Sequence, residues 1–145
     1  MRTDITMSVD TSSFFGTSIT AVKFEKIGDF VQGEVLDKEL RQQTDSKTGR
    51  LRSWPDGRPK LVVVITLQVE EPEEDDDGQR NLYVRGYMQK AVIDALKALH
   101  LKDVVPGMHL KITFKRQDDP AKTDQDGAKH YAAEIWTVGE VPPWK

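Results

Sequence analysis

Hydrophobic residues recur at every second position in several stretches of the chain, which is the pattern of strands with one buried face. The clearest stretch is residues 61–69, LVVVITLQV, whose middle is rich in β-branched residues. The same period of two occurs in residues 29–40, 81–87, 109–115 and 130–138. We therefore predict five strands from these segments.

A single stretch follows a helical period instead. It covers residues 88–101, MQKAVIDALKALHL, and ends before Pro106 and Gly107, which cannot continue a helix. Its apolar stripe consists of Met88, Val92, Ala95, Leu96 and Leu99. The predicted order of elements is strand, strand, strand, helix, strand, strand.

This order is that of the OB-fold, a five-stranded and partly open Greek-key barrel, so the predicted class is all-β with one helix. Gly33 in the first strand fits the bend that small barrels require. The connections between strands 1 and 2 and between strands 4 and 5 are long, and OB-folds use these loops to bind ligands. Other small β-barrels and an α+β sheet are the alternatives.

Weakly patterned segments mark the limits of the predicted domain. A length of 145 residues is typical of one domain. We expect residues 1–17 to form a mobile N-terminal arm, residues 18–138 to form the OB-fold domain and residues 139–145 to form a C-terminal tail. Residues 70–80 are predicted to be a flexible acidic loop within the domain.

Charge is unevenly distributed in this chain of net charge -3. Segment 70–78 holds seven acidic residues and no basic one, whereas segment 41–60 holds six basic and two acidic residues. The sequences SKTG (46–49) and WPDG (54–57) within the basic segment are typical of turns. The basic segment is therefore predicted to form a cationic loop or hairpin arm that carries an exposed tryptophan.

Single-stranded nucleic acid is bound by cations that follow the phosphates and by aromatic rings that stack on the bases. The basic arm meets this description, and so does the outward face of the third strand, where two tyrosines flank an arginine. In an OB-fold both features would lie on one ligand-binding surface. The predicted nucleic-acid-binding residues are Arg41, Arg50, Arg52, Trp54, Arg58, Lys60, Tyr83, Arg85 and Tyr87.

These aromatic side chains also have structural interpretations. Trp54 could close a small satellite core over the second strand, and Tyr83 and Tyr87 could pack against the helix or against another subunit. Trp136 is expected to pack under a loop. For Trp144, the sequence leaves open both disorder and contact with a neighbouring subunit.

Signatures of catalysis and of metal binding are missing from the sequence. There is no phosphate-binding Gly-rich loop, no dinucleotide fingerprint and no nucleophile elbow. The acidic run EEDDDG lacks the spacing of a calcium loop, and the chain has no cysteine. We predict no enzymatic activity, no cofactor and no metal.

The sequence also bears on the expected location of the protein. No apolar run approaches the roughly 20 residues that span a membrane, and the N-terminus lacks the apolar core of a secretory signal. A soluble cytoplasmic protein with no membrane partner is the expectation.

Three runs, FEKIGDFVQGEVLDKELRQQTDSKTG, WPDGRPKLVVVITLQ and DDDGQRNLYVRGYMQKAVIDALKA, resemble a family of small proteins of actinobacterial bacteriophages. Members of this family are described as single-stranded DNA-binding proteins. The resemblance covers roughly residues 13–138, and W-x-D-G-R-P is its most recognisable element. It implies an OB-fold and a role in phage DNA replication, recombination or repair. The C-terminus, GEVPPWK, departs from the acidic tail with which bacterial single-strand-binding proteins recruit other enzymes.

We therefore expect a single-stranded DNA-binding protein with little sequence preference, acting in the host cytoplasm. The alternative is an adaptor of the same fold that binds replication or recombination proteins without binding DNA. A virion assembly protein is a third hypothesis. The acidic loop would compete with nucleic acid for the basic surface. The oligomeric state is left open, and a homo-oligomer would gain affinity by joining several sites.

Overall fold

The computed structural model describes residues 19–45, 47–70, 76–119 and 127–145. The predicted N-terminal arm and residues 71–75 of the predicted acidic loop lie outside these ranges. Helix α1 spans Gly86–Ala98. The strands are β1 (Thr20–Ala21), β2 (Phe30–Gln42), β3 (Leu61–Val69), β4 (Gln79–Val84), β5 (His109–Gln117) and β6 (Lys129–Trp136).

The strands form one mixed sheet in the order β1-β4-β3-β2-β5-β6. Strands β5, β2, β3 and β4 are antiparallel neighbours in the spatial order of a Greek key. The prediction of a mostly β protein with one helix is confirmed. The predicted count of five strands is wrong, because the two-residue β1 adds a parallel partner to β4. Within the described residues no strand pairing joins the edge strands β1 and β6, so the sheet is not closed.

The segment that continues from β1 contacts both β4 and β6. The main-chain N–H of Val22 donates to the carbonyl oxygen of Asn81 on β4, over 2.9 Å. Lys129 Nζ on β6 donates to the carbonyl oxygen of Phe24, over 2.7 Å. The Phe24 ring meets the ring of Tyr131 on β6 edge-on, with centroids 5.2 Å apart. Residues 20–24 therefore link β4 to β6.

Strand β2 pairs with β5 on one side and with β3 on the other, and Gly33 lies where the two pairings overlap. Its first residues pair with β5, and the stretch from Gly33 to Gln42 pairs with β3. A Cβ at position 33 would lie 2.3 Å from the carbonyl oxygen of Gln68, so only glycine fits there. A register shift between Val35 and Asp37 bends the strand further.

The core lies between the inner face of the sheet and α1. Strand β5 contributes Leu110, Ile112 and Phe114, each at most 1% exposed, as the alternating pattern predicted. Helix α1 buries Met88, Val92 and Leu96. The predicted bounds of the helix are shifted: it begins at Gly86 and ends at Ala98, so Leu99 lies beyond it and is partly exposed. No described helix combines the length and the apolar character needed to cross a membrane.

The C-terminal residues pack back onto the sheet. The ring of Trp144 meets the rings of Trp136 and His109 nearly edge-on, at centroid distances of 4.8 and 6.1 Å. Pro142 is fully buried, and Lys145 Nζ lies 3.6 Å from a carboxylate oxygen of Glu70. Trp136 therefore has a packing role, with Trp144 as its partner.

Candidate nucleic-acid interface

The outer face of β2, β3 and β4 combines apolar, aromatic and cationic side chains. Strand β3 is apolar on both faces, and Val62 and Val64 on the outer face are buried outside the main core. The strand register places Arg41 opposite Val62, and Tyr83 opposite Val64. Arginine and tyrosine side chains thus cover valines on the surface that strands 2 and 3 of the predicted OB-fold present.

Two cavities adjoin on this face. The first, of about 350 Å³, is lined by Arg41 on β2 and Tyr83 on β4, and by Gln43 and Arg85, which directly follow these strands. The second, of about 370 Å³, continues past Tyr83 and Arg85 to the start of α1 and to β6. Both cavities are lined by Tyr83 and Arg85, so they lie next to each other, and the two together are called the groove below. The cationic, aromatic and amide side chains that line the groove include Arg41, Gln43, Tyr83, Arg85, Tyr87 and Lys129.

The predicted aromatic residues of the third strand do not all lie on that strand. Tyr83 does, and it is 39% exposed. The prediction that Tyr87 shares the strand is wrong: β4 ends at Val84, and Gly86 takes a positive φ of 58° at which the chain turns into α1. Tyr87 nevertheless lines the second cavity, with its ring 4.4 Å from the ring of His130.

The basic arm, described at residues 43–45 and 47–60, forms two short antiparallel turns joined at their base. Isolated bridges pair Thr44 with Leu51 and Ser53 with Pro59. The predicted WPDG turn is confirmed, since the N–H of Gly57 donates to the carbonyl oxygen of Trp54 over 2.9 Å. The arm is therefore hydrogen-bonded to itself and to the end of β2.

Trp54 lies at the tip of the second turn, outside both cavities. Its side chain is 49% exposed. Lys60 Nζ lies 4.5 Å from the centroid of its ring, within the range of a cation–π contact. The indole ring is thus presented to solvent with an ammonium group beside it.

The predicted cations differ in their partners. Arg41 binds Glu39 over 2.8 Å, which raises the pKa of Arg41, and Arg58 binds Asp56 over 2.6 Å. Arg52 and Arg85 both donate to the side-chain oxygen of Gln43 over 3.4 Å. The structure therefore brings Arg52 together with the groove. It places Arg50, Trp54, Arg58 and Lys60 on the arm, away from the two cavities.

Three residues at or beside this surface were not predicted from the sequence: Gln43, Lys129 and His130. His130 Nε2 lies 2.8 Å from Asp118 Oδ2, and this hydrogen bond lowers the pKa of Asp118. Lys129 reaches the groove only because β6 lies beside the segment after β1. A local signal existed for Lys129 and His130, since they stand where the long loop between strands 4 and 5 ends. Gln43 had no such signal.

The described part of the chain contains no group of three or more His, Asp or Glu side chains placed to hold a metal ion. What the groove and the arm offer chemically is guanidinium groups, ammonium groups and aromatic rings. Comparison of the chain with models of protein families, with curated proteins and with solved structures finds no match.

Proposed function

We propose that this protein binds single-stranded DNA in the groove and along the arm, with little sequence preference. The observation that carries the proposal is the sharing of Tyr83 and Arg85 by two adjoining cavities. Tyr87 and Lys129 line the second cavity and Arg41 lines the first. Rings and cations thus occur together in two adjoining cavities, which is the combination of groups that binds unpaired nucleotides.

The chemistry of the groove favours single strands over duplex. Tyrosine rings stack on the flat face that every unpaired base presents, and each such stack contributes roughly 1–3 kcal/mol. Guanidinium and ammonium groups bind the phosphates, which are the same in every sequence. A DNA strand bound through these groups is held without contacts that distinguish the edges of its bases.

We propose that β2 to β6 form an OB-fold. Their spatial order contains a Greek key, and α1 lies between the third and fourth of these strands, as in that fold. The segment 20–24 occupies the place where the open edge of such a barrel would meet β6. In such a fold, the groove would belong to the surface with which OB-folds bind oligonucleotides.

The proposed biological setting follows from the resemblance of the sequence to the phage family. In that setting the protein acts on DNA during replication, recombination or repair in the host cytoplasm, and it acts as a binding protein rather than as an enzyme. Replication or recombination proteins would be its protein partners.

A second candidate function is an adaptor that binds such proteins without binding DNA. The observation that favours it is a set of exposed leucines near the base of the arm: Leu40 at 62%, Leu51 at 65% and Leu61 at 46%. Leu40 and Leu61 point away from the face of Arg41 and Val62, because neighbouring residues of a strand face opposite sides. A protein partner would bury these leucines and leave the groove free.

Titration with oligonucleotides tests the first function. We expect a dT oligonucleotide to quench tryptophan fluorescence, to bind more tightly than duplex of the same length and to lose affinity steeply with salt. An rU oligonucleotide in the same series measures the preference for DNA. No binding of dT at about 50 mM salt, which favours phosphate contacts, would reject the proposal. Capture of a replication protein that is lost in Leu40→Lys would then support the adaptor.

A further inference from the structure

The side chain of Gln43 is held in one orientation at the point where the arm meets the groove. Its Nε2 donates to the carbonyl oxygen of Leu61 over 2.9 Å, which directs Oε1 the other way. Its main-chain N–H donates to the main-chain carbonyl oxygen of Lys60, and its own carbonyl oxygen accepts from the main-chain N–H of Arg52. Main chain and side chain are therefore both fixed, so Oε1 is a rigid acceptor.

Two guanidinium groups converge on this single oxygen. Arg52 Nη1 and Arg85 Nη1 each lie 3.4 Å from Gln43 Oε1. The two cationic nitrogens are thus no further apart than two such contacts. An amide oxygen carries no net charge, so it leaves both positive charges uncompensated, and like charges at this distance repel.

Neither arginine forms an ion pair within the described residues, in contrast to Arg41 and Arg58. Hydrogen bonds from the main-chain N–H groups of Lys47 and Thr48, together with the nearby charge of Arg52, lower the pKa of the Asp45 carboxyl. The position between Arg52 and Arg85 therefore has two cationic donors, and among the residues that the structure describes neither donor is paired with a carboxylate.

We propose that Arg52 and Arg85, on either side of Gln43, form a subsite for one phosphate group. This rests on the proposed function, since the phosphate would belong to the bound strand. Guanidinium groups bind phosphate oxygens through paired hydrogen bonds, and two of them surround one phosphate. The adjoining cavity places Tyr83 beside the subsite, so the base of the same nucleotide stacks on Tyr83.

Two substitutions of Gln43 test the subsite. Gln43→Glu keeps the shape but places a carboxylate between the arginines, so it occupies the phosphate position with a charge of its own. We expect the affinity for a dT oligonucleotide to fall about tenfold or more. The slope of log K against log salt is negative, and its magnitude should decrease by about 0.7, the value for one phosphate contact in a single strand. Gln43→Met removes the amide but leaves both cations, and its affinity should stay within about threefold of wild type.

Gln32→Glu is the matched control, because it makes the same charge change on β2 far from the groove. It should bind dT like wild type. Equal losses in Gln43→Glu and Gln43→Met would show that Gln43 only holds the arm together, and that outcome overturns the subsite. Unchanged affinity in Gln43→Glu overturns it as well.

Nuclear magnetic resonance of the arginine Nε–Hε signals separates this proposal from the proposed function. In wild type, we expect the signals of Arg52 and Arg85 to shift both with dT and with inorganic phosphate at constant ionic strength. Shifts with phosphate but no binding of dT would support the subsite and reject DNA binding. Binding of dT with both signals unmoved would support DNA binding and reject the subsite.

Discussion

The ammonium group of Lys60 lies beside the ring of Trp54, with Nζ 4.5 Å from the ring centroid. One side of the indole is thus occupied by a cation, while half of the side chain remains exposed. An aromatic face with a cation next to it suits a nucleotide, because the base and its phosphate are bound by different groups. Under the proposed function, the pair would extend the binding surface from the groove onto the arm.

Trp54→Ala should weaken the binding of a dT oligonucleotide by roughly 1–3 kcal/mol, the contribution of one base stack. It should also remove most of the fluorescence quenching, since Trp136 and Trp144 are packed against each other. Fluorescence and anisotropy titrations measure the two effects separately. Trp144→Phe is the control and should retain the quenching. Full quenching in Trp54→Ala would contradict a stacking role.

Tyr83→Ala should lower the affinity for dT by a similar amount, roughly 1–3 kcal/mol, because it removes the ring shared by both cavities. Tyr83→Phe keeps the ring and should bind like wild type. Urea unfolding shows whether Tyr83→Ala is folded. Wild-type affinity in a folded Tyr83→Ala protein would exclude this ring from the interface.

Arg85→Gln and Arg58→Gln should differ in their effect on the salt dependence of binding. Arg85 has no carboxylate partner among the described residues, so its loss should decrease the magnitude of the slope of log K against log salt by about 0.7. Arg58 is bound to Asp56 over 2.6 Å, so the field of its charge is partly cancelled and its loss should matter less. Titrations at several salt concentrations measure both slopes. A larger change for Arg58→Gln would reverse this ranking.

Trp144→Ala should lower the free energy of unfolding by about 1–3 kcal/mol, because it removes the partner of Trp136 and His109. Trp144→Phe should be milder, since the indole N–H is buried without a hydrogen-bond partner among the described residues. Val141→Ala is the control at a residue that is 74% exposed. Urea denaturation gives all three values. Equal stability of Trp144→Ala and wild type would mean that the tail is not docked in solution.

Asp76 predicts a pH dependence of stability. Its hydrogen bond with the Arg80 guanidinium, assisted by the N–H of Gly78, lowers the pKa of Asp76 to about 2. A carboxyl of the unfolded chain titrates near 3.9, so the stabilisation is complete above that value and is lost as the pH falls towards 2.

Asp76→Asn should therefore be less stable than wild type at pH 7, and the difference should shrink below about pH 4 and vanish only below about pH 2. Thermal unfolding across this range measures it. Asp94→Asn, at an exposed helical pair 3.5 Å long, is the control and should show a smaller difference. A difference independent of pH would assign the effect to something other than this carboxylate.

The sequence predicted those parts of the fold that depend on local periodicity. Leu110, Ile112 and Phe114 alternate along β5 and are buried, and Met88, Val92 and Leu96 line the helix as their spacing indicated. The two residues of β1 are too few to show a period. Tyr87 was misplaced because the alternation of NLYVRGY continues through Gly86, where the backbone turns out of the strand.

The candidate site was predicted in its residue types but not in its connections. The basic and aromatic residues were visible in the sequence, and the strand register then placed Arg41 and Tyr83 on one face. The contact between Gln43 and Arg85 joins residues 42 positions apart. No local pattern encodes such a contact, because it depends on how the arm folds against β4.

The link that residues 20–24 make between β4 and β6 has a kinetic consequence. Thr20 pairs with Arg80, and a short parallel pairing between such distant residues forms late in folding and opens early. Val22 and Phe24 also line the second cavity. The amide hydrogen of Val22 should thus exchange with solvent faster than those of β3. Single-stranded DNA bound in the groove would slow that exchange, so the exchange rate of the Val22 amide would report whether the groove is occupied.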